Sequence, residues 1–394
     1  MTLAPTAPAG TTTGTDLTAL LARRRPGHPL ESPFYTDPAV FELDMAMIWL
    51  REWLFVGVES EVALPGQFMT LSVGRSPIMV LRDGDGVVRG FHNCCRHRGF
   101  RLLDAPSGTV KELVSPSLRW TYRLDGSLAD APFMPDGFDK DAHGLKPLHL
   151  RLVAGTIFVC LADRAPEDEP YAPAVEAMMQ PHHLATAKVA LEETAVVHGN
   201  WKLAVENSRE FCHDVPSHPD PAGTAAFWDR MDGDGMPSRL AEGPGFHAGR
   251  LPFVDGAVST TTDGQPAVAL RLGRVPHNDV GSLRTVRFPG AFSHLLGDHA
   301  VLVRLLPLGP DATEVSTRWL VNPAAREGRD YDLPRLRKIW SLANEEQAAL
   351  VERNQAGVNS VGYRPGPCSP TRESGVTRFL DWYCGKLAQV GQEG

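Results

Sequence analysis

Between Trp53 and Ala162 short apolar or alternating runs are separated by turn signals, and this rhythm leaves few folds open. The runs are residues 53–58, 68–73, 77–82, 87–91 and 156–161. Each is too short for a helix and has ordinary strand length. Asp83-Gly84-Asp85-Gly86 and Asp125-Gly126 are hairpin-type turns. A small all-β unit is expected here. The 37 Gly and 33 Pro of the 394-residue chain agree, because turns concentrate those residues.

Residues 166–184 are Pro-rich and acidic, then weakly helical, and read as the exit from that unit. Beyond them the pattern mixes strands (189–197, 267–272, 300–306 and 313–321) with helices (200–213, 333–355 and 373–389). Residues 229–265 are rich in Gly, Asp and Pro and read as a long irregular connection. The expected class is α+β, with the β unit leading.

Composition excludes several function classes. Lys and Arg number 39 against 47 Asp and Glu, a net charge of −8, which argues against nucleic-acid and anionic-membrane partners. No stretch approaches the ~20 apolar residues of a membrane-spanning helix. The Thr/Ala/Gly/Pro-rich residues 1–16 lack the apolar core of a secretory signal. Six scattered cysteines do not form a disulfide framework, so a cytoplasmic location is expected.

Two constellations carry chemistry. Cys95-Arg96-His97 is a Cys-x-His pair between two strand candidates, with Cys94 beside it. Alone it is a weak signal. Residues 98–114 separate it from Ser115-Pro116-Ser117-Leu118 and the following Trp120-Thr121-Tyr122. In the second constellation, Glu206, Glu210 and His213 share a face if residues 200–213 are helical, and His218 follows Pro216. Two His at that spacing can converge on a metal ion. In residues 333–355 the stripe Leu336, Ile339, Trp340, Ala343 and Leu350 has helical period. Gln347 falls near its centre, Glu346 at its edge and Glu345 on the opposite face.

Residues 91–102 (FHNCCRHRGFRL) and 120–128 (WTYRLDGSL) resemble the Rieske domain of ring-hydroxylating-type oxygenases. Residues 31–57, 199–213 and 363–370 extend the resemblance over almost the whole chain, nearest the glycine betaine monooxygenase and stachydrine demethylase type. It implies a Rieske-like β domain over 53–165 and a helix-grip catalytic domain, an antiparallel sheet with helices, over 166–394. A helical segment over 31–52 and a flexible tail over 1–30 precede them.

The family binds a [2Fe–2S] cluster through two Cys and two His. Here the resemblance places Cys95 and His97 as one pair, and Ser115 and Leu118 where the second Cys and His belong. Leu has no ligating atom, and a serine hydroxyl is a hard ligand where a soft thiolate is needed. The family also implies a non-heme iron held by His213, His218 and a carboxylate at the position of Gln347. Glu346 is a substitute if the helix rotates. Glu210 stands where an acidic residue bridges to a neighbouring subunit's cluster.

Three expectations follow. The chain carries no [2Fe–2S] cluster, and a mononuclear Fe(II) that is weak or absent. It is a degenerate, auxiliary subunit in a trimer-based hetero-oligomer, with an intact homologous oxygenase subunit and, through that partner, a reductase. Alternatively it is an active monooxygenase subunit fed by a partner's cluster, or a metal-independent ligand-binding protein. In each case the substrate is a small molecule, of quaternary or tertiary amine type.

Overall fold

The computed structural model describes residues 17–166, 171–209, 238–253 and 255–389. The leading β unit contains β1 (Leu54–Val58), β2 (Gln67–Val73), β3 (Ser76–Arg82), β4 (Val88–His92) and β5 (Ser107–Thr109). It continues with the short β6 (Leu113–Val114), β7 (Thr121–Tyr122) and β8 (Leu128–Asp130), then β9 (His149–Val153) and β10 (Thr156–Cys160). These form three antiparallel sheets, in the orders β4-β3-β2-β5, β6-β7-β8 and β1-β10-β9. Apolar Ile78 to Leu81 are all buried, so β3 is the centre of its sheet. The predicted turn at Asp83 is held by its own side chain. Asp83 Oδ1 accepts from the N–H of Asp85 at 3.0 Å and of Val87 at 2.8 Å.

The second unit is built on a larger sheet. Its described strands are β11 (Lys188–Val197), β12 (Ser238–Gly243), β13 (Phe246–Leu251), β14 (Ser282–Arg287), β15 (Ala291–Leu295), β16 (His299–Gly309) and β17 (Ala312–Val321). They run antiparallel in the order β11-β17-β16-β15-β14-β13-β12. Helices are α1 (Leu17–Arg23), α2 (Pro33–Thr36), α3 (Pro38–Asp44), α4 (Tyr171–Met179), α5 (Trp201–Asn207), α6 (Leu333–Val358) and α7 (Ser374–Ala388). A π-turn, Met45–Trp49, extends α3. The class is α+β, as the pattern predicts.

The two faces of the large sheet have different partners. On one, α6 lies across the strands: Ser341 Oγ donates to Glu193 of β11 at 3.0 Å, and Asn344 Nδ2 to Thr317 of β17 at 3.0 Å. On the other, Arg304 and Arg318 reach the β unit. Arg304 donates to the Val56 carbonyl at 3.1 Å, and Arg318 Nε to Glu61 at 3.2 Å.

Several expectations need correction. Residues 238–251, read as irregular connection, form the β12–β13 hairpin, because Phe246, Ala248 and Leu251 point into the core. Residues 267–272 are not a strand but a loop, in which Ala267 and buried Val268 pack with Val301 and Trp319 of β16 and β17. Strands β14 and β15 went unread because arginines and a histidine interrupt their apolar alternation. Within the stretch read as a tail, α1 buries Leu20 in the main core, and Leu30 joins the same cluster. Residues 33–49 form α2, α3 and the π-turn. The helix read over 200–213 closes at Asn207, with Ser208 as C-cap. Glu210, His213 and His218 lie outside the described residues.

Candidate functional site

The loop after β4 is shaped by Asn93. Its Oδ1 accepts from the N–H groups of Leu102 and Leu103, both at 3.0 Å, and its Nδ2 donates to the Leu103 carbonyl at 2.7 Å. Buried Asn93 thereby closes a tight loop that presents Cys95 and His97. The second loop follows β6, where the Ser115 N–H donates to the Trp120 carbonyl at 2.8 Å. Leu118 and Arg119 sit in the left-handed region at φ of 53° and 52°, which a non-glycine side chain adopts at some cost.

The two loops touch. Cys95 Sγ lies 3.3 Å from Tyr122 Oη, which also accepts from the Arg96 N–H at 3.0 Å. The His97 ring stacks on Trp120 at 5.0 Å. Burial and the hydrogen bond to Cys95 push the Tyr122 phenol up. His97 Nδ1 and Ser115 Oγ are buried without a hydrogen-bond partner among the described residues. Leu118 is 45% exposed. Cys94 lies beside the pair, its Sγ 3.9 Å from the Cys95 carbonyl oxygen.

In the second unit the start of α5 is fixed on all sides. Asn200 caps the helix by accepting from the Lys202 N–H at 3.0 Å, and its Nδ2 donates to the carbonyls of Tyr35 at 3.1 Å and Pro310 at 2.7 Å. Gln355 of α6, buried, accepts the Asn200 N–H at 2.8 Å. The middle of α5 is held by a buried ion pair between Lys202 and Asp44 of α3, both fully inaccessible. Asp44 also accepts from Trp201 Nε1 at 3.0 Å and Tyr383 Oη at 2.7 Å. Burial raises the Asp44 carboxyl and lowers the Lys202 ammonium, each against the pull of its partner. On the next turn Glu206 accepts from Tyr35 Oη at 2.9 Å. The chain therefore enters the segment containing Glu210, His213 and His218 from a rigid helix.

The α6-covered face of the sheet is polar at its centre. Arg284 of β14 is in register opposite His294 of β15, so both project to that face. The His294 ring lies 4.6 Å from Trp340 of α6, and its Nδ1 is 3.3 Å from Ser282 Oγ. Arg209 comes from just beyond α5, with its guanidinium 4.5 Å over the Phe292 ring. Burial and the like charge of Arg284 bring Arg209 down to about 9. Burial, with Arg284 and Arg209 nearby, holds His294 well below its usual value, so it is neutral.

On α6, Glu345 is exposed, whereas Glu346 and Gln347 are half-buried with Glu346 Oε2 and Gln347 Oε1 out of solvent. The fully buried residues of α6 are Leu336, Val351, Gln355 and Val358. The expected stripe is thus rotated: Ile339, Ala343 and Leu350 are only half-buried. Among the described residues no three His, Cys, Asp or Glu side chains converge as a metal site.

Residues 184–389 match the family profile described as ring hydroxylating alpha subunit (catalytic domain), and residues 52–148 that of the Rieske [2Fe-2S] domain. The chain belongs to the ring-hydroxylating alpha-subunit family. It is 42% identical to the glycine betaine monooxygenase oxygenase subunit of Chromohalobacter salexigens over 93% of this chain and 88% of that one. With the same subunit of Pseudomonas aeruginosa it shares 38% over 95% and 92%. In fold it is similar to a quaternary ammonium Rieske monooxygenase, at a TM-score of 0.75, covering 93% of this chain and 97% of that one at 23% identity. It is likewise similar to naphthalene 1,2-dioxygenase from Rhodococcus sp., at a TM-score of 0.72 and 19% identity.

These findings overturn the expectation of a chain without a [2Fe–2S] cluster and with iron weak or absent. The Rieske [2Fe-2S] match and the oxygenase-subunit relatives point to both cofactors in this ring-hydroxylating alpha subunit. The described loops offer half of the usual donor set, Cys95 and His97; Ser115 brings a buried hydroxyl and Leu118 no ligating atom. No electron-transfer step is therefore assigned to these two loops.

Of the aromatic residues available to cage a cation, Phe246 packs on Tyr171 at 5.3 Å, on the sheet face away from α6. Phe253 belongs to a small core cluster with Leu296. Phe227 and Trp228 lie outside the described residues. Arg209, Arg284 and His294 were not singled out from the sequence; the signal available was a pair of arginines and a histidine inside apolar alternation. Among the described residues, no helix is long and apolar enough to cross a membrane.

Proposed function

We propose that this chain is the oxygenase subunit of a monooxygenase that hydroxylates a methyl group on a small quaternary or tertiary ammonium compound. The observation that carries the reading is 42% identity to a glycine betaine monooxygenase oxygenase subunit across nearly the full chain. Dioxygen and two electrons with two protons yield the hydroxymethyl group and water; the hydroxymethyl group then leaves as formaldehyde. A non-heme iron, when bound, supplies the activation of dioxygen.

The chain's own residues have separate tasks in this reading. In this reading His213 and His218 would hold the metal, with Gln347 or Glu346 of α6, both half-buried, as the third position. In this reading Glu210 is the bridge position toward a neighbouring subunit, whose Rieske cluster would supply the electrons, with a reductase as their source. Asn200, Gln355 and the Asp44–Lys202 pair hold α5 still, so the residues after it start from a fixed point.

The experiment measures iron content and formaldehyde release with glycine betaine as probe, on the chain alone and co-purified with a homologous subunit of its host. Turnover that disappears with His213→Ala in this chain supports the reading. A second reading, an auxiliary non-catalytic partner, is favoured by Ser115, Leu118 and Gln347 at ligand positions. It predicts a mixed assembly whose turnover is unchanged by His213→Ala in this chain, and that result overturns the first reading.

A further inference from the structure

We propose that a cavity between the end of α1 and residues 363–365 is a binding site for an organic phosphate, a small molecule with an apolar body and a phosphate group. None of its lining residues has a task in the oxygenase reaction, so the site stands or falls independently of that reading.

Two segments enclose the cavity, whose volume of about 610 Å³ is common among small-molecule sites. One runs from the last turn of α1 to Phe34 of α2, and the other is Tyr363-Arg364-Pro365. Hydrogen bonds lace the two together and keep the walls in place. The Cys368 N–H donates to the Gly27 carbonyl at 2.7 Å, and Tyr363 Oη to the Leu30 carbonyl at 3.1 Å. Leu30 is held from its other side too, its N–H donating to Tyr35 Oη at 3.1 Å. Leu20, Leu30 and Phe34, each at most 2% exposed, give the cavity an apolar floor. Such a floor favours a ligand with a carbon frame over a bare ion.

The rim selects the charged group. Four arginines and a single carboxylate, Glu31, line the cavity, in a chain of net charge −8. Two of the arginines are neutralised, Arg23 by Glu31 at 3.1 Å and Arg24 by Asp381 of α7. Arg25 and Arg364, exposed at the rim, have no carboxylate partner among the described residues. Each is braced instead on the backbone of the second segment. Arg25 Nη2 donates to the Pro365 carbonyl at 3.0 Å, and Arg364 Nη1 to the Tyr363 carbonyl at 2.7 Å. Those carbonyls are two residues apart, so both guanidiniums hang from one short stretch of chain. One nitrogen of each is engaged, and the other N–H groups of each fork remain for a ligand. Arg24, on the same wall, keeps its Nε out of solvent with no hydrogen-bond partner among the described residues. The two unneutralised guanidiniums carry about +2 in all. A phosphate monoester carries about −1.5 to −2 and three acceptor oxygens, whereas a carboxylate carries half as much. Charge balance thus selects phosphate over carboxylate, and arginine forks suit its oxygens.

The test uses the purified full-length protein and calorimetry at low ionic strength with three probes. Phenyl phosphate carries both the apolar body and the phosphate, benzoate has the body with a carboxylate, and inorganic phosphate has no body. Wild type is expected to bind one phenyl phosphate per chain, at least tenfold more tightly than either other probe. Arg25→Gln and Arg364→Gln, changes of exposed side chains, should each weaken phenyl phosphate at least threefold, and the double variant at least tenfold. Arg25→Lys, which keeps the charge and loses the fork, should fall between wild type and Arg25→Gln. Circular dichroism checks that each variant is folded, and either single variant carries the comparison if the double one is not. Absence of phenyl phosphate binding to wild type overturns the site, as does binding that the arginine variants leave unchanged. Benzoate bound as tightly as phenyl phosphate overturns the choice of phosphate, and inorganic phosphate bound as tightly overturns the apolar body. The ammonium reading is tested separately, by formaldehyde release.

Discussion

Lys202 and Asp44 meet with neither side chain touching solvent. Removing one charge leaves the other buried and unpaired, which typically costs about 3–5 kcal/mol. Lys202→Met is expected to lower the urea midpoint accordingly, and Asp44→Asn combined with Lys202→Met to restore part of it. A second residue sets acid sensitivity. His182 is 2% exposed, its Nδ1 is 3.2 Å from the Met179 carbonyl, and burial holds it at about 4. An unfolded histidine titrates near 6.5. The unfolded chain thus takes up the proton first, and stability falls as pH drops from about 6.5 to 4, by about 3 kcal/mol in all. His182→Gln should flatten that part of the stability–pH curve, measured by denaturant titration at pH 7 and 4.5.

At the scale of the element, α5 depends on its cap more than on its length. Seven residues are too few for a helix to persist by propensity. Asn200 supplies the capping oxygen, and its amide group satisfies two carbonyls from distant segments. Asn200→Ala is expected to cost about 1–3 kcal/mol. It should also raise hydrogen exchange across residues 201–209 before the large sheet opens, and loss of exchange protection across both at once would contradict that order. The cap was invisible as such in the sequence, where Asn200 reads only as a good helix starter. Gln355 likewise lies near the end of an apolar pattern, and nothing local shows that it meets Asn200 at 2.8 Å.

Across the whole molecule the β unit and the large sheet share buried clusters, Val56 and Ile157 with Val286 and Leu305, and Phe55 and Phe158 with Leu283 and Leu302. Arg304 and Arg318 cross from the sheet to Val56 and Glu61. At the β9–β10 turn, Gly155 has φ of +91°, and a Cβ there would lie 2.1 Å from the Ala185 backbone nitrogen. Its carbonyl accepts the Glu59 N–H at 2.9 Å. Gly155→Ala combines a left-handed backbone with a backbone clash. It is expected to lower the melting temperature by several degrees, with circular dichroism as the readout; a change below one degree would mean the turn relaxes freely.

Local patterning was enough for the leading β unit, because its strands are short, apolar and bounded by side-chain-held turns such as Asp83. It was enough also for α6 and α7, whose periodicity is long. The pair Cys95 and His97 and the pattern running to Trp120 were legible as a motif, and led to the family. The missing ligands at Ser115 and Leu118 do not imply missing cofactors, since the family comparison points to both. Strands β14 and β15 were lost because Arg284, Arg287 and His294 break the apolar alternation by which strands are recognised. Arg284 and His294 lie on the face that α6 covers, and Arg287 lies on the opposite face over the Tyr171 ring; that placement is set by pairings between segments far apart in the chain. The sequence by itself determined the class and the family. Only the tertiary structure decided that Arg209 and Arg284 share one face and that α5 is held by Asn200, Gln355 and Lys202. Neither arrangement has a local signature, since each is made by residues that meet only after the sheet has formed.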